Sequence, residues 1–482
     1  MIARLALRSL LLHPLRTAVL AGGFGLGIAV MANLLGVADV VLEQSESPAL
    51  AGGGDVLVTG AAGRLTSARY LLWGGLGSPP FVDRVRVASP TARGSLFLLH
   101  EGEVTRVRAR GGIPSRERAL GDPETAGVAA WRDTAADAAW VAPDPAAVLR
   151  SLDRFHPIPA VPERAGSWAE WLYFNGQAGT TRFYLTFMVG PLADDGRRVA
   201  GVRLQLDRDG AVTTWGEAAR LDPDEVLTTA PELTIGGSRV RLDGERYVVS
   251  FDLPGDGGGS AGPAAGARAR GSRRGASTRR AIGEIVLTAR RGHTLPPLAL
   301  RGARGWVSGY VVPVMSGALD GGIRVDDGPA LSVAGGTGYH DHNWGFWEGV
   351  SWQWGQVQHD GLSVLYGRVF PPADAADASR IPGFLMVLGP DGPLGQASRV
   401  TITETADETQ NRPRRIVVHG TGPSVDVTLD IAVESAIRTP MTGGPLGNGL
   451  EFLQMRGLYQ VSGEVGDRML AFVARGAAET FR

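Results

Sequence analysis

From Trp168 onward, apolar residues alternate with polar ones in short runs bounded by Gly, Asp and Pro. This is the pattern of antiparallel strands with one buried face. The clearest runs are 182–189, 199–206, 239–242, 247–253, 282–289 and 306–314, then 338–344, 351–358, 362–370, 383–388, 399–404, 415–418, 424–433, 458–464 and 469–474. So many strands with almost no helical period between them predict a mainly β chain whose sheets close, or nearly close, into barrels. Residues 254–281 interrupt the alternation with Gly, Ala, Ser and Arg, and read as a disordered hairpin extension between two strands.

The amino-terminal pattern is different. Residues 17–38 carry no charged side chain, with Arg4, Arg8 and Arg16 before them and Asp39, Glu43 and Glu46 after. A helix of that length crosses a hydrocarbon core of about 30 Å, and the positive-inside bias puts the amino terminus in the cytoplasm and the bulk of the chain outside. A single-pass, membrane-anchored periplasmic protein is therefore expected, with the anchor at 1–45. A cleaved signal peptide, suggested by Ala49-Leu50-Ala51, is the rival reading. Residues 46–160 mix strand-like runs with Gly/Pro/Ala/Asp-rich stretches and read as an irregular extracytoplasmic region. No later segment is apolar enough to span a membrane as a helix.

The 482-residue length calls for more than one folded unit. A net charge of -1 gives no reason to expect nucleic acid as a partner. The absence of Cys removes disulfides, thiolate metal sites and Cys nucleophiles together. No nucleophile elbow, P-loop or dinucleotide fingerprint is present, and no cofactor is implied.

Candidate chemistry concentrates in Tyr339-His340-Asp341-His342-Asn343-Trp344-Gly345, with Trp347, Trp352, Trp354 and His359 close behind. Titratable and hydrogen-bonding groups this dense mark a candidate site. On a strand His340, His342 and Trp344 share one face and Tyr339, Asp341 and Asn343 the other, and the sequence does not say which faces a lumen. Asp341 is the candidate acid, since a carboxyl in apolar surroundings stays protonated near neutral pH. His342, Tyr339 and His340 could orient it or guide water, while Trp344, Trp352, Trp354, Tyr366, Trp171 and Tyr173 supply aromatic faces for an apolar ligand or a cation. Two alternatives stay open. The polar run could hydrogen-bond two barrels together, or His340-x-His342 with Glu348 could approach a cupin-like metal pattern whose remaining ligands are missing.

Two landmarks carry a family resemblance. Glu170-Trp171-Leu172-Tyr173-Phe174-Asn175-Gly176 is similar to the opening strand of the AttH and carotenoid 1,2-hydratase proteins, and Gly338-Tyr339-His340-Asp341-His342-Asn343-Trp344-Gly345 resembles the motif that opens their second half. Gly309-Tyr310-Val311-Val312-Pro313-Val314, Trp352-Gln353-Trp354-Gly355 and the closing Arg475-Gly476-Ala477-Ala478-Glu479-Thr480-Phe481 support it. The resemblance covers about 160–482 and implies two consecutive lipocalin-like barrels, at 161–315 and 316–482. It also implies a protein that acts on or carries a long apolar molecule, by acid-catalysed hydration or isomerisation. Where hydratases of this type carry Tyr-x-Asp, the chain reads Tyr366-Gly367-Arg368. The first 60 or so residues, including Leu7-Arg8-Ser9-Leu10 and His13-Pro14-Leu15-Arg16-Thr17, resemble the start of FtsX/MacB-type ABC permeases. That likeness implies an alternative role as a non-catalytic, lipophile-binding accessory of an ABC exporter.

Overall fold

The computed structural model describes residues 12–15, 17, 54–59, 68–79, 81–122, 125, 128, 130–229, 231–255, 279–407, 409, 412–440 and 451–481. Apart from Thr17, the 17–38 segment expected to be the anchor lies outside these residues, as do 256–278 of the hairpin extension. No helix among the described residues is long and apolar enough to cross a membrane.

The chain divides into two compact units, one built from 1–66 and 86–138, the other from 67–85 and 139–482. In the first, β1 (Ala92–His100) and β2 (Glu103–Gly111) form an antiparallel hairpin beside the helix Pro114–Ala119. The buried Glu117 carboxylate is satisfied there by the hydroxyls of Ser89 and Thr91 and by Arg110.

The second unit holds two antiparallel sheets. The first comprises β3 (Trp168–Ala178), β4 (Thr181–Leu192), β5 (Arg198–Arg208), β6 (Ala211–Leu221), β7 (Leu233–Ile235), β8 (Ser238–Asp243), β9 (Arg246–Pro254), β10 (Arg280–Thr288), β11 (Leu295–Arg301), β12 (Val307–Val325), β13 (Leu331–Ser332) and β14 (Thr337–Phe346). Its spatial order is β6-β5-β4-β3-β14-β12-β10-β9-β8-β7, with β11 and β13 on β12. A bridge between Trp215 of β6 and Gly255, and the Glu217 carboxylate accepting from Gly237 N and the Ser238 hydroxyl, bring the two ends together into a nearly closed barrel. β9 and β10 pair from Pro254 and Arg280 inward, so the extension between them does join a hairpin.

The second sheet comprises β15 (Ser351–His359), β16 (Leu362–Phe370), β17 (Phe384–Gly389), β18 (Gly392–Ala397), β19 (Arg399–Asp407), β20 (Arg412–Gly422), β21 (Val425–Pro440), β22 (Glu451–Val465) and β23 (Arg468–Phe481). It is a half-barrel in the order β18-β17-β16-β15-β23-β22-β21-β20-β19. Strand alternation gives it two buried faces. Val364, Tyr366, Leu385, Val387, Ile416, Leu429 and Tyr459 fill its own concavity. Trp352, Trp354, Leu365, Phe384, Met386 and Phe481 join the core of the first sheet.

Two expectations from the sequence need correction. The 338–344 strand does not open the second barrel: β14 lies inside the first sheet, paired with β3 on one side and β12 on the other. Alternation fixes which residues share a face but carries no record of the neighbouring strand, which is a non-local choice. The end of the 46–160 region is also not irregular. Asp144 caps the helix Pro145–Leu152 by accepting from Ala147 N at 3.0 Å, and Pro145 occupies the first turn. Val148, Leu149 and Leu152 then bury the inner face of this helix in the barrel core.

Candidate functional site

β14 separates two buried polar clusters. Its register against β3 sets Asp341 opposite Tyr173, His342 opposite Leu172 and Trp344 opposite Glu170. His340, His342 and Trp344 therefore face into the first barrel with Glu170 and Phe174. Tyr339, Asp341 and Asn343 face the second sheet with Trp171, Tyr173 and Asn175.

On the barrel side, the chain leaving the helix Pro145–Leu152 delivers Asp153, Phe155 and His156 to the histidine pair. Asp153 Oδ2 lies 3.0 Å from His340 Nε2, and Asp153 Oδ1 lies 2.7 Å from His342 Nδ1. The other ring nitrogen of His340 donates to the Tyr173 carbonyl at 3.0 Å. Glu170 Oε1 lies 2.9 Å from His342 Nε2 and 2.7 Å from His156 Nδ1, and both Glu170 oxygens accept from His156 backbone N. Aromatic rings close the cluster: Phe174 stacks on His340 at 4.1 Å and Trp344 on His156 at 4.1 Å. Burial alone would push the Asp153 and Glu170 carboxyls up, but the imidazole partners overcome it and hold both below their usual range. Burial opposes charge on His342 as well, yet hydrogen bonds from its ring to Asp153 and Glu170 raise it to about 9. His342 is thus braced between two carboxylates, one at each ring nitrogen.

The other face behaves differently. The Tyr339 hydroxyl donates to Asp341 Oδ2 at 2.7 Å and itself receives the Trp354 indole N–H at 2.8 Å. Asn343 Nδ2 donates to Asp341 Oδ1 at 2.6 Å. Glu479 of β23 is buried on the facing sheet, aligned with Trp354 and Gln454. Burial pushes Asp341 up to about 7 although Tyr339 and Asn343 stabilise its charged form. Burial and the nearby Asp341 push Glu479 well above its usual range, against a hydrogen bond to Tyr173. Two carboxyls whose ionisation burial opposes therefore lie in the layer between the sheets, near enough for the Asp341 charge to raise Glu479. Trp354 packs edge-on to Tyr310 at 5.1 Å and to Phe384 at 4.9 Å, while Trp171 and Trp352 lie 5.4 Å apart in a second aromatic group with Trp347 and Phe481. At one end of this layer a cleft of about 30 Å³ is lined by Asn175, Arg182, Tyr184, Gln356 and Arg475. That is room for a water molecule. Gln356 donates to Asn175 Oδ1 at its base, at 2.5 Å.

The residues picked from sequence thus fall into three places. Asp341, Tyr339, Tyr173, Trp171, Trp352 and Trp354 come together between the sheets. His340, His342 and Trp344 lie on the barrel side with carboxylate partners of their own, so neither imidazole reaches Asp341 as a hydrogen-bond partner. Tyr366 sits in the concavity of the second sheet. Arg368 shares the Tyr366 face of β16 and donates to the Ala378 carbonyl at 3.1 Å, so the exchange of Asp for Arg falls on the opposite face of that strand from the layer holding Asp341. Glu348 is exposed whereas His340 and His342 are buried, so the cupin-like set does not assemble; His359 stacks on Phe472 at 4.7 Å. Asp153, His156, Glu170 and Glu479 were missed. For Glu170 and Glu479 a signal existed, a carboxylate inside an otherwise apolar strand. For Asp153 and His156 none did, since a surface-like Asp-Arg-Phe-His run says nothing about the barrel it enters.

Fold and site together define a mainly β protein with two barrel-like sheets and a buried acid layer between them. Neither protein-family models nor curated protein sequences give a match to this chain. Among solved structures it is similar to a putative AttH from Nitrosomonas europaea (14% identity, covering 68% of this chain and 99% of that one, TM-score 0.42). It is also similar to CghA with Sch210972 (12% identity, covering 68% and 94%, TM-score 0.41) and to CghA without it (12% identity, covering 65% and 88%, TM-score 0.40).

Proposed function

We propose that the chain acts on a long apolar molecule, of isoprenoid or lipid type, by proton transfer from the acid pair Asp341–Glu479. One observation carries this reading. A carboxyl poised near neutrality by burial, hydrogen-bonded to Tyr339 and Asn343 and sharing its layer with Glu479, which burial also raises, is walled by Trp171, Tyr173, Tyr310 and Trp354. A group with a pKa near the working pH serves best as general acid or base, and aromatic faces stabilise a cation formed beside them. Hydration or isomerisation of an alkene needs both. The polar cleft at Asn175 and Gln356 gives water a place to wait beside Asn175, the residue directly opposite Tyr339 on β3.

Asp341 is 1% exposed, so substrate reaches it only when the facing strands of the two sheets part. The uncharged run 17–38 supports a membrane-held, extracytoplasmic setting, where such substrates dissolve. The test is lipid mass spectrometry on the purified full chain, followed by turnover of any polyene or lipid recovered. Asp341→Asn is expected to bind the recovered molecule and to lose turnover by at least about 100-fold, the usual contribution of a general acid. Full activity in that variant, or a wild-type chain that retains no apolar molecule, would overturn the proposal.

A further inference from the structure

The barrel-side cluster is not used by the chemistry proposed above, and it has the composition of a metal site. His156 Nδ1, Glu170 Oε1 and His342 Nε2 lie within 4.8 Å of one another. We propose that these three groups bind a divalent transition-metal ion, as a two-histidine, one-carboxylate set with an open position toward His156.

The donor chemistry suits it. Two imidazoles and a carboxylate are a recurring set for Zn²⁺ and non-haem Fe²⁺, and such triads leave coordination positions for water or substrate. The distances are nearly right. Glu170 Oε1 stands 2.7 Å from His156 Nδ1 and 2.9 Å from His342 Nε2. Ligands about 2.0–2.1 Å from one tetrahedral ion lie roughly 3.3 Å apart, so Glu170 Oε1 needs to draw back from each ring nitrogen by only about half an ångström. The protons now shared between Glu170 and the two rings are what the ion would displace, so binding releases protons.

Surrounding groups hold the ligands in the way metal sites require. His342 Nδ1 is bonded to Asp153 Oδ1 at 2.7 Å, which fixes the ring and leaves Nε2 as the ligating atom. Asp153 is fixed in turn by His340, whose far nitrogen is held by the Tyr173 carbonyl. The His156 backbone N–H holds both Glu170 oxygens at 3.0 Å, so Oε2 keeps a donor when Oε1 turns to the ion. Trp344 stacked on His156 sets the plane of that ring. Access exists on one side only: the His156 side chain is 25% exposed, while Glu170 and His342 are fully buried.

The same geometry read as a buried ion-pair network needs no metal, and the experiment separates the two. The full chain, stripped with EDTA, is titrated with Zn²⁺ and separately with Co²⁺. The expected results are one ion per chain by elemental analysis, a visible Co²⁺ absorption band of a four- or five-coordinate site, and a raised melting temperature. His156→Ala removes the most exposed ligand at least risk to folding and should abolish the Co²⁺ band. Asp153→Asn keeps all three ligands and should weaken binding by about 10–100-fold. A wild-type chain that takes up no ion, or one whose Co²⁺ spectrum is unchanged in His156→Ala, would overturn the proposal. Loss of lipid turnover in Asp341→Asn would leave it untouched, since the two clusters lie on opposite faces of β14.

Discussion

Asp341 and Asp153 are the same side chain on opposite faces of one strand's neighbourhood, both fully buried, and their surroundings drive them apart. Asp153 sits between two imidazoles and keeps its charge; Asp341 has no such partner on its own face, and burial pushes it up to about 7. Because the native state holds the Asp341 proton up to about pH 7, whereas an unfolded Asp releases it near 3.8, the native state binds more protons in that window. The associated stability is fully present below about pH 4 and is lost as pH rises through 7. We therefore expect the urea midpoint of the wild-type chain to fall between pH 5 and pH 8 more steeply than that of Asp341→Asn. The raised His342, whose contribution is fully present below about pH 6.5 and is lost as pH rises from there through about 9, adds a slope common to both. Parallel midpoints for the two proteins would show that Asp341 titrates normally.

Among the elements, β12 and β14 are packed so closely that a glycine is required between them. Gly309 of β12 pairs with Trp344, and the Trp344 indole lies across the space a side chain would occupy: a Cβ at 309 would come within 2.4 Å of two ring atoms. Gly309→Ala must therefore displace the ring that stacks on His156. Overpacking of this kind costs about 1–3 kcal/mol, and a changed tryptophan fluorescence should accompany it. A loss below about 0.5 kcal/mol, the range of an ordinary surface change, would mean that the indole does not rest there. The helix Pro145–Leu152 matters for a related reason. Its buried face of Val148, Leu149 and Leu152 fixes where the chain emerges, and hence where Asp153 and His156 meet the histidines.

Across the larger unit, the two sheets are joined by more than the acid layer. Arg456 of β22 pairs with Asp207 of β5 at 2.9 Å and with Glu434 of β21 at 3.1 Å, and the Asp207 side chain is only 4% exposed. Gln205 is bonded to Gln454, and Arg182 donates to the Arg475 carbonyl at 2.9 Å. Removing the cation by Arg456→Ala leaves the Asp207 charge with the Gly210 N–H but without its cation against the facing sheet. A charged hydrogen bond of this type contributes about 1.5–3 kcal/mol, and we expect that loss in urea melts, with a broader, less cooperative transition as the sheets separate earlier. An unaltered transition would show that the apolar layer alone holds them.

The sequence by itself determined much of this. Alternation located most of the strands of both sheets, because a half-buried strand must place apolar residues at every second position, but it passed over short or weakly alternating ones such as β7, β11, β13 and β18. It separated Tyr339 and Asp341 from His340 and His342, and it flagged the densest polar run in the chain. It could not decide which sheet owned that run, because strand pairing joins residues far apart in the chain. β14 is flanked by β3, some 170 positions away, and by β12. Nor could it set Glu479 against Asp341 or bring Asp153 and His156 to the histidine pair. Only the tertiary structure decided those meetings, and with them which carboxyl is charged and which is an acid, since a pKa is a property of neighbours and burial rather than of residue type.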